Sequence, residues 1–351
     1  MRVRRAAARR SCTADCPDGA PHPNVWITSA GNFCLAQNLG MADRPELPPV
    51  LAGRSFTVHE GRASGVMPSR LRAKDLWRPS REIRVPKGAS QTLLDRVRPY
   101  TALGIETYVS HSTAALLYGI PLPRSLEKAE SIHLTRPSEI MMPRRRGVVG
   151  HKRALSVDEV VFLNGVPVTA PARTWLDLSV LLAMEDLVAA GDYLVCEHDR
   201  YFEEPKPAIV ELGMLQDYYR AKRGLRGLQN ARAALGLIRV GVDSPPETRL
   251  RLMLLRAGLP EFVPDYKIEG NAGERPVHTD LGCKDFKVCG EYEGEIHLTP
   301  EKQLADRNRD QRTRERGWMQ VKVFNDDMKR GEKWVVGLFR QALVKQGWAG
   351  S

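Results

Sequence analysis

Long apolar runs and paired cysteines are both missing from this chain. No stretch is apolar over enough residues to span a bilayer. The six cysteines form no CxxC pair and no Cys/His cluster with zinc spacing, so the sequence indicates neither a disulfide framework nor a zinc finger. Val25-Trp26-Ile27 is too short for the apolar centre of a signal peptide. These absences favour a cytoplasmic protein with no membrane partner.

The chain is long and basic. Its 351 residues exceed a typical single domain, and a hydrophobic content of 42% is enough for two or three cores. The net charge of +11 favours a polyanionic partner. Residues 244–351 hold 19 Lys and Arg against 17 Asp and Glu, or +2, whereas residues 41–243 carry +6. The excess of positive charge therefore lies mostly in the first two thirds of the chain.

Three carboxylates near the C-terminus have the spacing of a metal site. Residues 277–281 and 286–293 are rich in β-formers and are separated by a turn, which predicts a β-hairpin. Residues i and i+2 of a strand share a face, so Glu291 and Glu293 project together, and the hairpin partner brings Asp280 alongside. Mg²⁺ or Mn²⁺ takes such oxygen ligands and can activate a water for phosphodiester hydrolysis.

Glu247 has two interpretations. Ser244-Pro245-Pro246-Glu247 is a capping-box pattern with Pro at the first helical position, so Glu247 could reach back to the backbone of Ser244. The helix that follows ends at Gly258 and has apolar residues at helical spacing. Glu247 could equally contribute to the metal site, and the two roles are compatible.

Several motifs follow one another in the last third of the chain: Ser244-x-x-Glu-x-Arg-Leu-Arg, Ala257-Gly258-Leu259-Pro260, Asp280-Leu281, Glu291-Tyr292-Glu293-Gly294, His297, Asp306-x-x-Arg309-Asp310 and Gly317-Trp318. This segment resembles the endonuclease domain related to very-short-patch mismatch-repair nucleases, within the PD-(D/E)XK restriction-endonuclease-like superfamily. The resemblance implies a mixed sheet flanked by helices, Mg²⁺ dependence and DNA as substrate. It also implies that Asp280 is the metal-binding Asp and Glu291 the first acid of the second motif.

One departure from the superfamily pattern concerns the catalytic Lys, whose place is taken by Glu293. A carboxylate cannot supply the positive charge that stabilises the attacking water and the phosphate. His297, Arg309 or Lys322 could supply it, and Arg309 could also contact DNA. His297 could protonate the leaving oxygen, or it could simply belong to a solvated helix entry.

The beginning of the orderly sequence, residues 47–86, resembles a winged helix-turn-helix. Thr57-x-x-Glu60 is a capping box, Gly65 makes a turn, and Pro68 is expected to open a basic helix followed by a strand at Ile83. Such a helix would enter the major groove, or it would only solvate its outer face. The candidate DNA contacts are Ser69, Arg70, Arg72, Lys74, Arg78, Arg81 and Arg84.

The middle of the chain carries a second series of motifs: Tyr108-Val109-Ser110-His111-Ser112-Thr113-Ala114-Ala115, Gly119-Ile120-Pro121, Ile132-His133-Leu134-Thr135, Gly165-Val166-Pro167-Val168-Thr169 and Ala172-Arg173-Thr174. Together with residues 51–86 they look like antitoxins of the AbiEi type, over about residues 47–200. The resemblance implies a self-repressing DNA-binding protein with a nucleotidyltransferase toxin as partner. His111 and His151 lack nearby acids in the sequence, which favours structural or surface histidines.

The expected fold is α/β (α+β). Its expected divisions are a disordered or non-native extension at 1–46, with Met41 as an alternative start, a winged helix-turn-helix at 47–86, an antitoxin-like region at 87–240 and a nuclease-like domain at 241–351. The leading functional hypothesis is a DNA endonuclease whose Mg²⁺ is held by Asp280 and Glu291. The alternative is a transcriptional repressor or antitoxin with an inactive nuclease fold, and RNA is a further possible substrate. The sequence does not predict the oligomeric state.

Overall fold

The computed structural model describes residues 45–270, 274–294 and 300–350, of which 300–305 only as backbone. His297 and nearly all of the predicted N-terminal extension lie outside these residues. Within them, no helix is both long enough and apolar enough to cross a bilayer. Residues 46–351 form one compact unit.

The N-terminal part of this unit is a small antiparallel sheet with two short helices. Its elements are α1 Pro49–Ala52, β1 Phe56–Thr57, α2 Val58–Ala63, β2 Leu76–Trp77 and β3 Ile83–Pro86. The strand order is β1-β3-β2. The predicted capping box is confirmed, because Thr57 Oγ1 accepts a hydrogen bond from the Glu60 amide at 3.0 Å while Glu60 Oε2 accepts one from the Thr57 amide at 2.7 Å.

The predicted basic helix after Pro68 is wrong. Only a single 3-10 turn forms, Arg70–Arg72, because Ala73 adopts an extended conformation that ends it. Arg70 does not point outward as predicted, since its guanidinium is buried and pairs with both oxygens of Asp75 at 3.0 and 2.8 Å. A turn of three residues is too short to fill a major groove as a recognition helix.

Two other predicted DNA contacts form hydrogen bonds within the protein. Arg84 is half-buried and donates from Nε to the carbonyl of Leu71 at 2.6 Å. Arg78 is exposed and donates from Nη2 to the carbonyl of Arg72 at 2.6 Å. The predicted contacts that are exposed at the surface are Ser69, Arg72, Lys74, Arg78 and Arg81.

The middle part has a five-stranded mixed sheet, in the order β6-β5-β4-β8-β7, covered by helices. Its strands are β4 Tyr108–Val109, β5 Ile132–Pro137, β6 Val148–Arg153, β7 Val160–Leu163 and β8 Val166–Thr169. Its helices are α3 Leu93–Ala102, α4 His111–Leu117, α5 Arg124–Glu127, α6 Pro171–Leu178, α7 Met184–Val195, α8 Leu212–Ala221 and α9 Leu228–Leu235. The rings of Trp175 and Tyr219 meet edge to face in the helical core, with centroids 5.2 Å apart.

The C-terminal part has a four-stranded mixed sheet in the order β12-β11-β10-β9. Its elements are α10 Pro245–Arg256, β9 Val263–Ile268, β10 Val277–Cys283, β11 Val288–Glu293, α11 Pro300–Glu315, β12 Met319–Phe324, α12 Asn325–Arg330 and α13 Glu332–Lys345. The predicted hairpin is confirmed as β10 and β11, with Leu281 opposite Gly290. Strand β12 runs parallel to β11, with α11 as the connection. The predicted α/β (α+β) class is confirmed.

Two features fix the helices against this sheet. Gly290 allows α13 to approach closely, because a Cβ at that position would lie 2.7 Å from the Phe339 ring. Helix α10 packs on two cores, with Leu252 in the middle core and Leu250 and Leu254 in the C-terminal core. The start of α10, where Glu247 lies, is thereby held against both the middle part and the C-terminal sheet.

Candidate functional site

Asp280 and Glu291 lie side by side on neighbouring antiparallel strands. Asp280 is on β10, and its Oδ2 accepts a hydrogen bond from the amide of Tyr292 on β11 at 2.7 Å. Its carboxylate therefore reaches across to the strand that carries Glu291. The hairpin register and this hydrogen bond bring together the two acids that the sequence analysis paired.

Glu291 has one oxygen in an ion pair and one oxygen without a partner in the described part of the chain. The residue is 3% exposed, and Oε2 accepts from Nη2 of Arg309 at 2.7 Å. Oε1 is buried, and among the described residues it has no hydrogen-bond partner. Burial raises the pKa of Glu291 to about 7, although the charges of Arg309 and Lys322 oppose the shift. A buried carboxylate oxygen without a donor is costly unless a cation or water satisfies it.

Glu247 satisfies the start of α10 and also adjoins Asp280. Its Oε1 accepts from the hydroxyl of Ser244 at 2.7 Å and its Oε2 from the amide of Asp243 at 3.0 Å. The predicted bond to the Ser244 amide is thus replaced by one to the preceding residue. Burial and the nearby charge of Asp280 raise the pKa of Glu247 to about 7, and burial raises the pKa of Asp280. Both interpretations of Glu247 are compatible with this position.

The acids of this site are neighbours, but they do not converge on one point. In the described residues, the groups of three with ligand atoms all within 4.8 Å of one another are His111, His133 and His151, and Cys196, His198 and Asp243. Neither group contains Asp280 or Glu291. Each of these two carboxylates uses one oxygen for a partner within the protein, Asp280 for the Tyr292 amide and Glu291 for Arg309.

Two cations lie beside the acids. In the parallel register, Lys322 on β12 is opposite Glu291. Its Nζ lies 3.3 Å from Oε1 of Glu293 and 2.8 Å from Oδ2 of Asp310. Arg309 comes from α11, and the structure places its guanidinium on Glu291. A positive charge therefore lies on the strand next to Glu291.

Arg200 belongs to the same electrostatic neighbourhood, and sequence reasoning missed it. It lies in the irregular segment after α7 and bridges Asp243 and Asp265, each at 2.8 Å. Its charge lowers the pKa of Asp280 against the dominant effect of burial. Oδ1 of Asp265 also lies 3.1 Å from Nδ1 of His278. These partners are up to 65 residues apart in the chain, so no spacing pattern could reveal them.

The three histidines of the middle part form a second cluster that sequence reasoning missed. The acid nearest to His111 comes from a distant part of the chain, because Asp177 Oδ2 lies 3.8 Å from its Nδ1. His111 is fully buried, and its ring stacks on that of His151 with centroids 3.6 Å apart. Burial lowers the pKa of His151 to about 4 and lowers those of His111 and His133. All three rings are therefore neutral at pH 7.

Comparison with known proteins leaves the family open. No family model matches the chain, and no solved structure matches it. Two uncharacterized proteins, from two strains of Mycobacterium tuberculosis, are each 29% identical to it over 219 residues. The match covers 62% of this chain and 74% of each relative.

Proposed function

We propose that this protein is a metal-dependent nuclease that hydrolyses phosphodiester bonds of DNA at Asp280 of β10 and Glu291 of β11. The observation that carries the proposal is the carboxylate of Glu291, which is buried, adjoins Asp280 and has one oxygen without a hydrogen-bond partner among the described residues. That oxygen is available to a cation.

The donor set fits a hard divalent cation. The oxygens of Asp280 and Glu291 are ligands that Mg²⁺ and Mn²⁺ prefer. Glu247 lies close enough to Asp280 that the two negative charges repel each other. A cation bound there would offset the burial and mutual repulsion that raise the carboxyl pKa values. When bound, such an ion polarises the phosphate and lowers the pKa of a coordinated water.

The neighbouring side chains suit the rest of the reaction. Lys322 and Arg309 place positive charge beside the carboxylates, where they would bind the phosphate and stabilise the charge that develops on it. Lys322 thus takes the role for which Glu293 is unsuited. Glu247, with a pKa of about 7, can accept a proton from an attacking water near neutral pH.

DNA binding by the front of the chain would use its surface charge rather than a recognition helix. Arg72, Lys74 and Arg78 are exposed around the 3-10 turn, and the chain carries a net charge of +11. Such cations bind phosphates without reading bases, so affinity should depend strongly on salt and weakly on sequence. A cognate nucleotidyltransferase as partner remains part of the alternative antitoxin hypothesis.

Nicking of supercoiled plasmid tests the proposal. The purified protein should nick plasmid with Mg²⁺ or Mn²⁺ and not with EDTA, and Asp280→Asn should abolish nicking. Asp285→Asn is the matched control, because Asp285 is an exposed acid on the turn of the same hairpin. Salt-sensitive DNA binding without nicking by the wild type would overturn the proposal in favour of the repressor alternative. Competition by structured RNA would distinguish an RNA substrate from DNA.

A further inference from the structure

The three histidines of the middle part come from three different elements. His111 is the first residue of α4, His133 lies on β5 and His151 on β6. One ring nitrogen of each lies within 4.8 Å of one nitrogen of both others. Nδ1 of His133 is 3.0 Å from Nε2 of His151. Two nitrogens bound to one tetrahedral zinc ion lie roughly 3.3 Å apart, as follows from Zn–N distances of about 2.0–2.1 Å.

The sheet explains why these residues meet. In the parallel register of β5 and β6, Thr135 is opposite His151, and His133 shares a face with Thr135 because it lies two residues earlier. The β4–α4 junction is fixed to β5 by the Ser110 amide, which donates to the carbonyl of His133 at 3.1 Å. Residue 111 therefore begins its helix directly over this face.

His111 has the hydrogen bonding of a metal ligand. Its Nδ1 faces the hydroxyl of Ser110 at 2.9 Å and the carboxylate of Asp177 at 3.8 Å. Its Nε2 is buried, and in the part of the chain that the structure describes it has no partner. Ligating histidines usually give one N–H to a carboxylate or another acceptor and leave the other nitrogen to the ion.

The backbone of His111 is a second, independent sign of a functional position. Its φ is 52°, in the left-handed region that non-glycine residues seldom adopt. Strain of this kind persists only where the surrounding structure holds the residue in place. Here it directs the ring of a fully buried residue toward two other imidazoles.

We propose that His111, His133 and His151 bind a divalent transition-metal ion, preferably zinc, and that Ser110 positions His111 through its Nδ1. Three imidazoles without thiolates suit Zn²⁺, Cu²⁺ or Ni²⁺ rather than Mg²⁺. Binding requires His111 and His151 to rotate out of their stacked arrangement. His151 is half-buried, so a water from solvent would be the fourth ligand. The ion would join α4, β5 and β6.

The other cluster of possible ligands is already occupied by the protein. Nζ of Lys206 lies 3.2 Å from Sγ of Cys196 and 2.9 Å from Oδ1 of Asp243. Arg200 binds the other oxygen of the same carboxylate at 2.8 Å. An ammonium group thus takes the position that an ion would need, so we assign no metal to this cluster.

Metal analysis of the full chain, purified without a polyhistidine tag and equilibrated with zinc, tests the proposal. The wild type should retain about one zinc ion per chain after gel filtration. His133→Asn and His151→Asn should lose it. His59→Asn is the matched control, because His59 is exposed on α2, and it should keep the ion. The proposal is overturned if the wild type holds no zinc, or if the variant with both His133→Asn and His151→Asn still holds it.

Cobalt provides a readout that does not depend on the folding of a variant. Co²⁺ added to the metal-free wild type should give the intense visible absorption of a tetrahedral site, and zinc should abolish it by competition. Absence of this band overturns the proposed geometry. The zinc and nuclease proposals can be told apart. Asp280→Asn should abolish nicking and retain zinc, whereas His133→Asn should lose zinc and retain nicking.

Discussion

The Arg309 guanidinium binds one oxygen of the Glu291 carboxylate at 2.7 Å, while the other oxygen is buried and has no partner among the described residues. The two oxygens of Glu291 therefore have different roles: one pairs with Arg309 and the other can bind an ion. Arg309 offsets part of the cost of burying a carboxylate, and the remaining oxygen is available as a ligand. The expected effect of Glu291→Gln follows from this difference between the two oxygens.

Replacing Glu291 by glutamine should abolish catalysis and preserve the fold. The amide oxygen can still accept from Arg309, but a neutral amide is a much weaker ligand for Mg²⁺ than a carboxylate. We expect plasmid nicking to fall by about 100-fold or more. Circular dichroism of the variant should match that of the wild type. Nicking at the wild-type rate would exclude Glu291 from the reaction.

The metal-free protein should lose stability as the pH rises from about 5 to about 8. The pKa of Glu291 is about 7 in the folded state and near 4.5 when exposed, so the folded state binds the proton more tightly. The resulting stability is complete below the unfolded pKa and is lost as the pH passes through the folded value. The loss from Glu291 is on the order of 3 kcal/mol.

Urea unfolding at pH 5 and pH 8 in EDTA measures this effect. Other groups titrate in the same range, so the informative quantity is the difference between wild type and Glu291→Gln. The variant should depend less on pH, because it has no proton to lose at this position. Equal pH dependence in the two proteins would contradict the raised pKa. Addition of Mg²⁺ at pH 8 should recover stability in the wild type and not in the variant.

Replacing Arg200 by glutamine should shift the pH profile of Mg²⁺-dependent nicking toward alkaline pH. The charge of Arg200 lowers the pKa of Asp280, so its removal makes that carboxyl harder to ionise. Arg200→Lys keeps the charge and should leave the acidic limb of the profile close to that of the wild type. A profile unchanged in Arg200→Gln would show that Arg200 only connects Asp243 and Asp265 structurally.

Replacing Arg70 should affect stability, whereas replacing the nearby Arg72 should affect DNA binding. Arg70→Ala removes a buried guanidinium paired with Asp75, so we expect the free energy of unfolding to fall by about 2–3 kcal/mol. Arg72→Ala should change stability by less than about 0.5 kcal/mol, because its side chain is exposed. It should instead reduce the salt dependence of DNA binding by about one phosphate contact. Titration of both variants with duplex DNA at several salt concentrations, together with urea unfolding, distinguishes these roles.

Local sequence patterns predicted the parts of the fold that local physics determines. The alternation and turn residues around Asp280 and Glu291 predicted the hairpin, and the capping box at Thr57 predicted the start of α2. The prediction of a basic helix after Pro68 was wrong, because composition does not show that Arg70 pairs with Asp75 and that the chain becomes extended at Ala73.

The contacts between distant segments were beyond such patterns. Arg200 contacts Asp265, and His111 lies beside His133 and His151, although these residues are far apart in the chain. A single histidine in a sequence carries no sign of its partners. The pairing of Lys322 with Glu293 likewise depends on the parallel register of β11 and β12, which the sequence does not specify.

Calorimetric titration of the zinc-equilibrated protein with Mg²⁺ at pH 8 tests the central claim most directly, because histidine clusters do not bind this ion. We expect one class of Mg²⁺ site in the wild type and in Asp285→Asn, and none in Asp280→Asn or Glu291→Gln. Binding should weaken below about pH 7, as protons compete for the carboxylates. Equal Mg²⁺ binding by all four proteins, or none by the wild type, would contradict the assignment of a metal-dependent site to Asp280 and Glu291.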